Sequence, residues 1–318
     1  MDEIVAIGIG GTHARFALAE LHGDSIRLHF EQVFRTSEHD SLDSAWIAYA
    51  NSLGRPLPRA ASLSVACPVR GDTLRLTNNP WVIRPGDIAR KHGLERVSIV
   101  NDFSAVSHAV ARLGSEMFHH LHGPDEPLPD EGMISVLGPG TGLGVSSLMK
   151  GSGGYVVTST EGGHIGFAPT DEFEDRLLAR LRAQYGRVSV ERIVSGPGLV
   201  QIYETLAGEG ARGAADDKAL WTAALEQRDE RAAEALLRFC AILGSVAGDI
   251  ALAQGATAVV VAGGLGLRLV DRLATSDFAS RFVAKGRFEP LMRTIPVKAI
   301  THPQPGLVGA AAAFIAEA

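Results

Sequence analysis

Residues 8–13 read GIGGTH and residues 138–144 read GPGTGLG. The first turn follows the apolar run Ile4–Ile9 and leads into Arg15–Ala19, and the second lies between Met133–Leu137 and Val145–Leu148. Strand, glycine turn, strand is a hairpin device. Glycine has no Cβ to block an approach and adopts positive φ freely, so such turns bring backbone amides close to an anion. A single turn of this kind is weak evidence, more often a structural β-turn than a phosphate site. Two in matching contexts, one in each half of the chain, point to two phosphate cradles and to a nucleotide held between two lobes.

Two other glycine-rich devices are excluded residue by residue. A P-loop requires Lys and then Ser or Thr after its last glycine, and neither turn supplies them. A dinucleotide-binding fingerprint requires a glycine at a fixed offset and then a helix, whereas both turns here run into strands.

The 318 residues are 46% hydrophobic and 21% charged, which is ordinary for a globular chain with two substantial cores. The formal net charge of -6 offers no overall basic footprint for nucleic acid or for an anionic membrane. Cys67 and Cys240 are the only cysteines, too few for a disulfide framework or a cysteine-rich zinc site. The chain starts directly with a strand and has no 18-residue charge-free apolar stretch, so a cytoplasmic protein is expected, with no membrane partner.

Strand-like and helical runs alternate through the first 110 residues: Ile4–Ile9, Phe16–Leu18, a helix over Leu42–Leu53, Ala61–Ala66, and Val97–Val100 feeding a helix from Phe103. An acidic, proline-bearing stretch, GPDEPLPDE over Gly123–Glu131, interrupts the pattern and marks the start of a second lobe. That lobe opens with the second glycine turn and a hairpin at Gly151–Gly154, repeating the topology of the first opening without repeating its sequence. It then turns helical, with an apolar stripe at Phe173, Leu177, Leu178 and Leu181 and a long helix over Arg231–Gln254 in which Gly244 and Gly248 permit close packing. The buried strand Ala258–Val261 meets Gly263 and Gly264, where α/β folds place ligands. The strand Val297–Ile300 and the Ala-rich helix after Gly306 are expected to return to the first lobe.

Asp102 is the first candidate for chemistry. It directly follows a buried strand ending in Val100 and Asn101 and opens an apolar helix, a position from which a carboxylate can take a proton from a substrate hydroxyl. A helix N-cap is the competing reading of the same residue. EGGH, residues 161–164, sets a carboxylate and an imidazole across two glycines, a combination suited to several polyol hydroxyls because histidine donates where carboxylates only accept. Glu191, in VERI ahead of SGPG at 195–198, adds an acceptor. Each of the three reads alone as solvated surface. His119, His120 and His122 lack the spacing of a metal site and read as a surface loop, and Cys67 in ACPV reads as a packed small residue.

Taken together, GGTHAR (10–15), ACPV (66–69), TNNPW (77–81), NDF (101–103), GPGTGLG, EGGH, SGPGL (195–199), AGG (262–264) and QPGLVGAAAA (304–313) resemble, in order and over nearly the full length, the non-ROK bacterial glucokinases. The resemblance implies an α/β, two-lobed, actin-like ATPase (ribonuclease H-like) fold. Its small lobe comprises 1–112 plus 302–318, its larger lobe with extra helices comprises 113–301, and ATP and glucose occupy the cleft between them. It implies ATP-dependent phosphorylation of the glucose 6-hydroxyl, with Asp102 as catalytic base and Asn101, Asp102, Glu161, His164 and Glu191 as glucose ligands. Gly8, Ile9, Gly10, Gly11, Thr12 and His13 together with Gly140, Thr141 and Gly142 correspond to the phosphate loops, and Gly263 and Gly264 to the adenosine side. No protein metal site is implied, since Mg²⁺ travels with ATP. A homodimer is expected from the family. Two positions depart from it: the family's first loop starts with Asp where this chain has Gly8, and relatives carry Asp shortly after EGGH where this chain has Gly166. Those departures leave open a sugar-binding sensor with weakened catalysis, and a kinase for another hexose also fits the motifs.

Overall fold

The computed structural model describes residues 3–23, 25–76, 79–208 and 217–317. Along the chain the elements are β1 (Glu3–Ile9), β2 (His13–His22), β3 (Ser25–Arg35), α1 (Leu42–Leu53), β4 (Ala60–Val65), β5 (Leu74–Arg75), β6 (Val82–Ile83), α2 (Pro85–His92), β7 (Arg96–Asn101) and α3 (Asp102–Arg112). There follow β8 (Phe118–His122), β9 (Gly132–Pro139), β10 (Leu143–Gly151), β11 (Gly154–Thr160), α4 (Glu172–Tyr185), α5 (Gly196–Ala207), α6 (Asp217–Leu225) and α7 (Glu230–Gln254). The chain ends with β12 (Ala258–Val261), α8 (Gly263–Thr275), α9 (Phe278–Val283), α10 (Glu289–Met292), β13 (Val297–Ile300) and α11 (Pro305–Ala316). It divides into two compact units. One comprises Met1–Gly114, Val157–Ser159 and His302–Ala318, the other Ser115–Val156 and Thr160–Thr301.

In the first unit the sheet order is β3-β2-β1-β4-β7. The hairpin β1–β2 is antiparallel, while β1, β4 and β7 run parallel. β1 is covered on both sides, which explains its nearly continuous apolar sequence. Val5, Ile7 and Ile9 pack with Phe16, Trp46 and Tyr49, and Ile4 and Ala6 pack with Leu307, Ala311 and Phe314 of α11. α11 is fastened to this sheet by the Ser62 hydroxyl, which donates to the Ala310 carbonyl at 2.6 Å, and by Arg96, which donates to the Phe314 carbonyl at 2.6 Å. The end of the chain therefore completes the unit that the start begins.

The second sheet has the order β11-β10-β9-β12-β13-β8, and all of it except Val157–Ser159 of β11 belongs to the second unit. Its first five strands repeat the pattern of the first sheet: an antiparallel hairpin whose inner strand, β9, pairs in parallel with β12, which pairs in parallel with β13. β8 adds an antiparallel edge. The histidine-rich segment is thus a strand and not the expected loop. His119 and His120 pair in register with Ala299 and Lys298, and the buried residue between the histidines is Leu121. α7 is long and apolar enough by length and composition to cross a membrane, but most of it is buried inside this unit. Its Gly244 and Gly248 do admit a neighbour: a Cβ there would lie 2.2 Å from the Phe278 carbonyl oxygen and 2.5 Å from that of Phe282, both in α9.

His108 in α3, in the first unit, makes stability depend on pH. Burial pushes its imidazole down to about 4. The folded value lies below the unfolded one, so the unfolded chain binds more protons between about 4 and 6.5, and stability falls as pH drops through that window. The urea midpoint of the wild type should decline across this range by more than that of His108→Gln. The difference should amount to at most ~3 kcal/mol, and parallel pH profiles for the two proteins would remove the assignment.

Candidate active site

β1, β4 and β7 are parallel, so their carboxyl ends lie on the same side of the first sheet, and there three motifs meet. The Gly8–His13 segment leaves β1, ACPV leaves β4, and Asn101 and Asp102 leave β7. The first turn is clamped from behind. The Gly10 carbonyl accepts from Asn79 Nδ2 at 3.1 Å, the Gly11 carbonyl from Thr36 Oγ1 at 2.9 Å, and the Thr12 carbonyl from the Thr36 N–H at 3.0 Å. In a trans peptide the C=O and the following N–H point in opposite directions. Fixing the carbonyls of Gly10 and Gly11 therefore aims the N–H groups of Gly11 and Thr12 away from Asn79 and Thr36, as an anion cradle requires. Asn79 is itself held, its Oδ1 accepting from the Trp81 N–H at 2.9 Å while Trp81 Nε1 donates to the His39 carbonyl at 2.8 Å. Thr77 and Asn78 of the same TNNPW motif lie outside the described residues.

Asn101, not Asp102, caps α3. Its Oδ1 accepts from the N–H groups of Phe103 at 2.9 Å and Ser104 at 3.3 Å, and its Nδ2 donates to the Cys67 carbonyl at 3.3 Å, tying ACPV to the helix start. The cap reading of Asp102 thus passes to its neighbour. Asp102 is the first helical residue, with Oδ1 accepting from the Phe103 N–H at 2.9 Å, so its carboxylate lies at the positive end of α3. The buried Cys67 thiol is pushed up by burial and further by the Asp102 charge, which leaves it a poor nucleophile at neutral pH.

In the second unit the turn between β9 and β10 is gripped by several segments. Gly140 N–H donates to the Gly142 carbonyl at 2.8 Å, and Gly196 N–H of SGPG donates to the Gly140 carbonyl at 2.7 Å. Glu191 Oε2 accepts from the Leu143 N–H at 2.9 Å. Gly263 and Gly264 open α8 immediately beyond β12, and the Ala262 N–H donates to the Leu137 carbonyl at 2.8 Å, so AGG abuts the same turn. EGGH forms a 3-10 turn that brings His164 Nε2 to 3.9 Å from Glu161 Oε2 and 4.0 Å from Glu191 Oε1. The side chains of Glu161, His164 and Glu191 are 70%, 57% and 30% exposed, so a ligand can reach all three. Arg187, which no sequence signal singled out, orients the turn by donating to the His164 carbonyl at 2.8 Å. Two acceptors and an imidazole on one spot suit a polyol.

The two departures from the expected motif are sterically open. A Cβ on Gly8 would lie 3.5 Å from Ser64 Oγ and 3.8 Å from Leu307 Cδ2, both ordinary contacts. Gly166 bridges to Ser189, and a Cβ on it would meet nothing within 4 Å. Among the described residues no group of three or more His, Cys, Asp or Glu side chains could hold a metal ion.

A family model for glucokinase matches residues 5–317. The chain belongs to the glucokinase family. Glucokinase of Zymomonas mobilis is 56% identical over 315 residues, covering 98% of this chain and 97% of the relative. Glucokinase of Caulobacter vibrioides is 40% identical, covering 97% and 94%. The crystal structure of a glucokinase from an Antarctic psychrotroph superposes with a TM-score of 0.86 at 31% identity, covering 99% of each chain. The chain is an enzyme with the α/β architecture of these sugar kinases.

The clamp on the first turn gives a test. Asn79→Ala frees the Gly10 carbonyl and should raise the KM for ATP about tenfold, the worth of roughly one hydrogen bond, with the KM for glucose within about twofold of wild type. An unchanged KM for ATP would show that the turn holds its shape without Asn79.

Proposed function

We propose that this enzyme transfers the γ-phosphoryl group of ATP to the 6-hydroxyl of D-glucose, giving glucose 6-phosphate and ADP. The observation that supports the reading is the convergence of Glu161, His164 and Glu191 beside the second glycine turn, an arrangement suited to hydroxyl ligands next to a phosphate cradle. Membership of the glucokinase family supports it. Asp102 is the base: its carboxylate accepts the proton of the 6-hydroxyl as that oxygen attacks phosphorus, while the bond from phosphorus to the bridging oxygen of ADP breaks and ADP leaves with the electron pair. By the family resemblance the sugar ligands are Glu161, His164 and Glu191 in the second unit and Asn101 in the first. By the same resemblance the nucleotide's ligands are the amides of Gly11 and Thr12 in the first unit, and the Gly140–Gly142 turn and the Gly263–Gly264 helix start in the second.

ATP brings Mg²⁺ on its phosphates and water, and the ion offsets charge on the transferring group. Gly8 offers no carboxylate to organise that ion. One preorganised electrostatic contact is worth on the order of 10² in rate, so a carboxylate placed there should accelerate turnover. The resemblance supports a role as the entry step of glycolysis and a cytoplasmic homodimer.

Glucose-dependent ADP formation tests the reading, with the product's phosphate position assigned by NMR. Asp102→Asn should lose at least about 10³ in kcat while still binding glucose, because a general base contributes about 10² to 10⁴. Near-wild-type turnover in that variant would refute the base assignment. Gly8→Asp should raise kcat by up to about 10². A silent wild type made active by that change would favour the sugar-sensing alternative, and activity on another hexose alone would shift the substrate.

A further inference from the structure

We propose that Glu191 is a positioning residue for the nucleotide turn as well as a sugar ligand, so that a single carboxylate couples the two substrates. The proposal rests on the preceding assignment of the second glycine turn to ATP. The peptide plane joining Gly142 to Leu143 is fixed at both ends. Its carbonyl accepts from the Gly140 N–H at 2.8 Å, and its N–H donates to Glu191 Oε2 at 2.9 Å. The carboxylate occupies the volume that any side chain at residue 142 would need, since a Cβ there would lie 2.4 Å from Oε2 and 3.1 Å from Cδ. Gly142 is therefore a glycine because Glu191 fills its side-chain space.

The backbone carrying Glu191 is firmly placed. Val190 N–H donates to the Ile165 carbonyl at 3.0 Å, and the N–H groups of Ile193 and Val194 return to the Val190 carbonyl at 3.0 and 2.8 Å. Val190 and Ile193 are buried. The same segment runs on to Gly196, whose N–H holds the Gly140 carbonyl, so residues 190–196 grip the turn at two points. The second oxygen, Oε1, faces His164 Nε2 at 4.0 Å, on the side assigned to sugar. A carboxylate has acceptor capacity for both tasks at once. Sugar bound at Oε1 restrains the carboxylate whose Oε2 sets the Gly142–Leu143 plane, and by linkage any gain in nucleotide affinity is returned as a gain in sugar affinity.

The test is ADP binding to the sugar-free enzyme, measured by titration calorimetry, combined with steady-state kinetics. Glu191→Ala should weaken ADP about tenfold although no sugar is present, the size of one hydrogen bond to a charged group. Gly142→Ala, which expels the carboxylate, should weaken ADP to a similar degree, and the double variant should be no weaker than either single one. Glu191→Gln keeps an oxygen for Leu143 and should hold the ADP Kd within about twofold of wild type while the KM for glucose rises about tenfold or more. That split would not arise from a damaged fold. Unchanged ADP affinity in Glu191→Ala, or additive losses in the double variant, would overturn the coupling and leave the sugar-ligand role standing. Failure of the wild type to bind ADP at all would overturn the nucleotide assignment and the coupling together.

Discussion

A backbone N–H can be aimed at an anion only by anchoring the carbonyl on the far side of the same rigid peptide plane, or by holding the N–H's own neighbours in place. Both glycine turns of this protein meet that constraint with groups delivered from elsewhere in the chain, side chains at the first and both a side chain and a backbone N–H at the second. Asn79 and Thr36 tie down the carbonyls of Gly10 and Gly11, and the Gly196 N–H ties down the carbonyl of Gly140, while Glu191 fixes the neighbouring plane between Gly142 and Leu143. Glycine makes the close approach possible but leaves the conformation unspecified, at a cost in chain entropy. The clamps supply the specification, and the rest of the architecture can be understood as the means of bringing them to the turns.

Two copies of one topology do so. In each unit an antiparallel hairpin feeds an inner strand that pairs in parallel with the strands that follow, so the hairpin turn and the later strand ends emerge along the same edge of the sheet. Burial of the central strands on both faces keeps that edge rigid. In the first unit the edge gathers the Gly8–His13 turn, Cys67, Asn101 and Asp102; in the second it gathers the Gly138–Gly144 turn and Gly263–Gly264. The candidate residues thus lie where the backbone is best supported.

Much of this was legible in sequence because it is local. The helix over 42–53 and the strands 258–261 and 297–300 carry their own periodicity and boundaries, and the structure has them at those limits. The paired hairpins were visible for the same reason. The edge strand β3 was not: Phe30 sits at φ 53 in a bulge, which breaks the alternation that signals a strand. β8 was hidden because its histidines become a strand only through pairing with β13, far along the chain. The clamps were the least legible. Asn79 acts across 69 residues of sequence and Thr36 across 25, and an isolated polar residue carries no local mark of such a partner. The cap was read onto Asp102, and the backbone at the end of β7 gives it to the adjacent Asn101.

Amide hydrogen exchange on the wild-type enzyme, with and without ADP, addresses the central claim directly, since that claim concerns backbone N–H groups. The account predicts that peptides covering residues 8–13 and 138–144 both gain protection when ADP binds. Protection confined to other segments, with both turns exchanging as in the free enzyme, would contradict it.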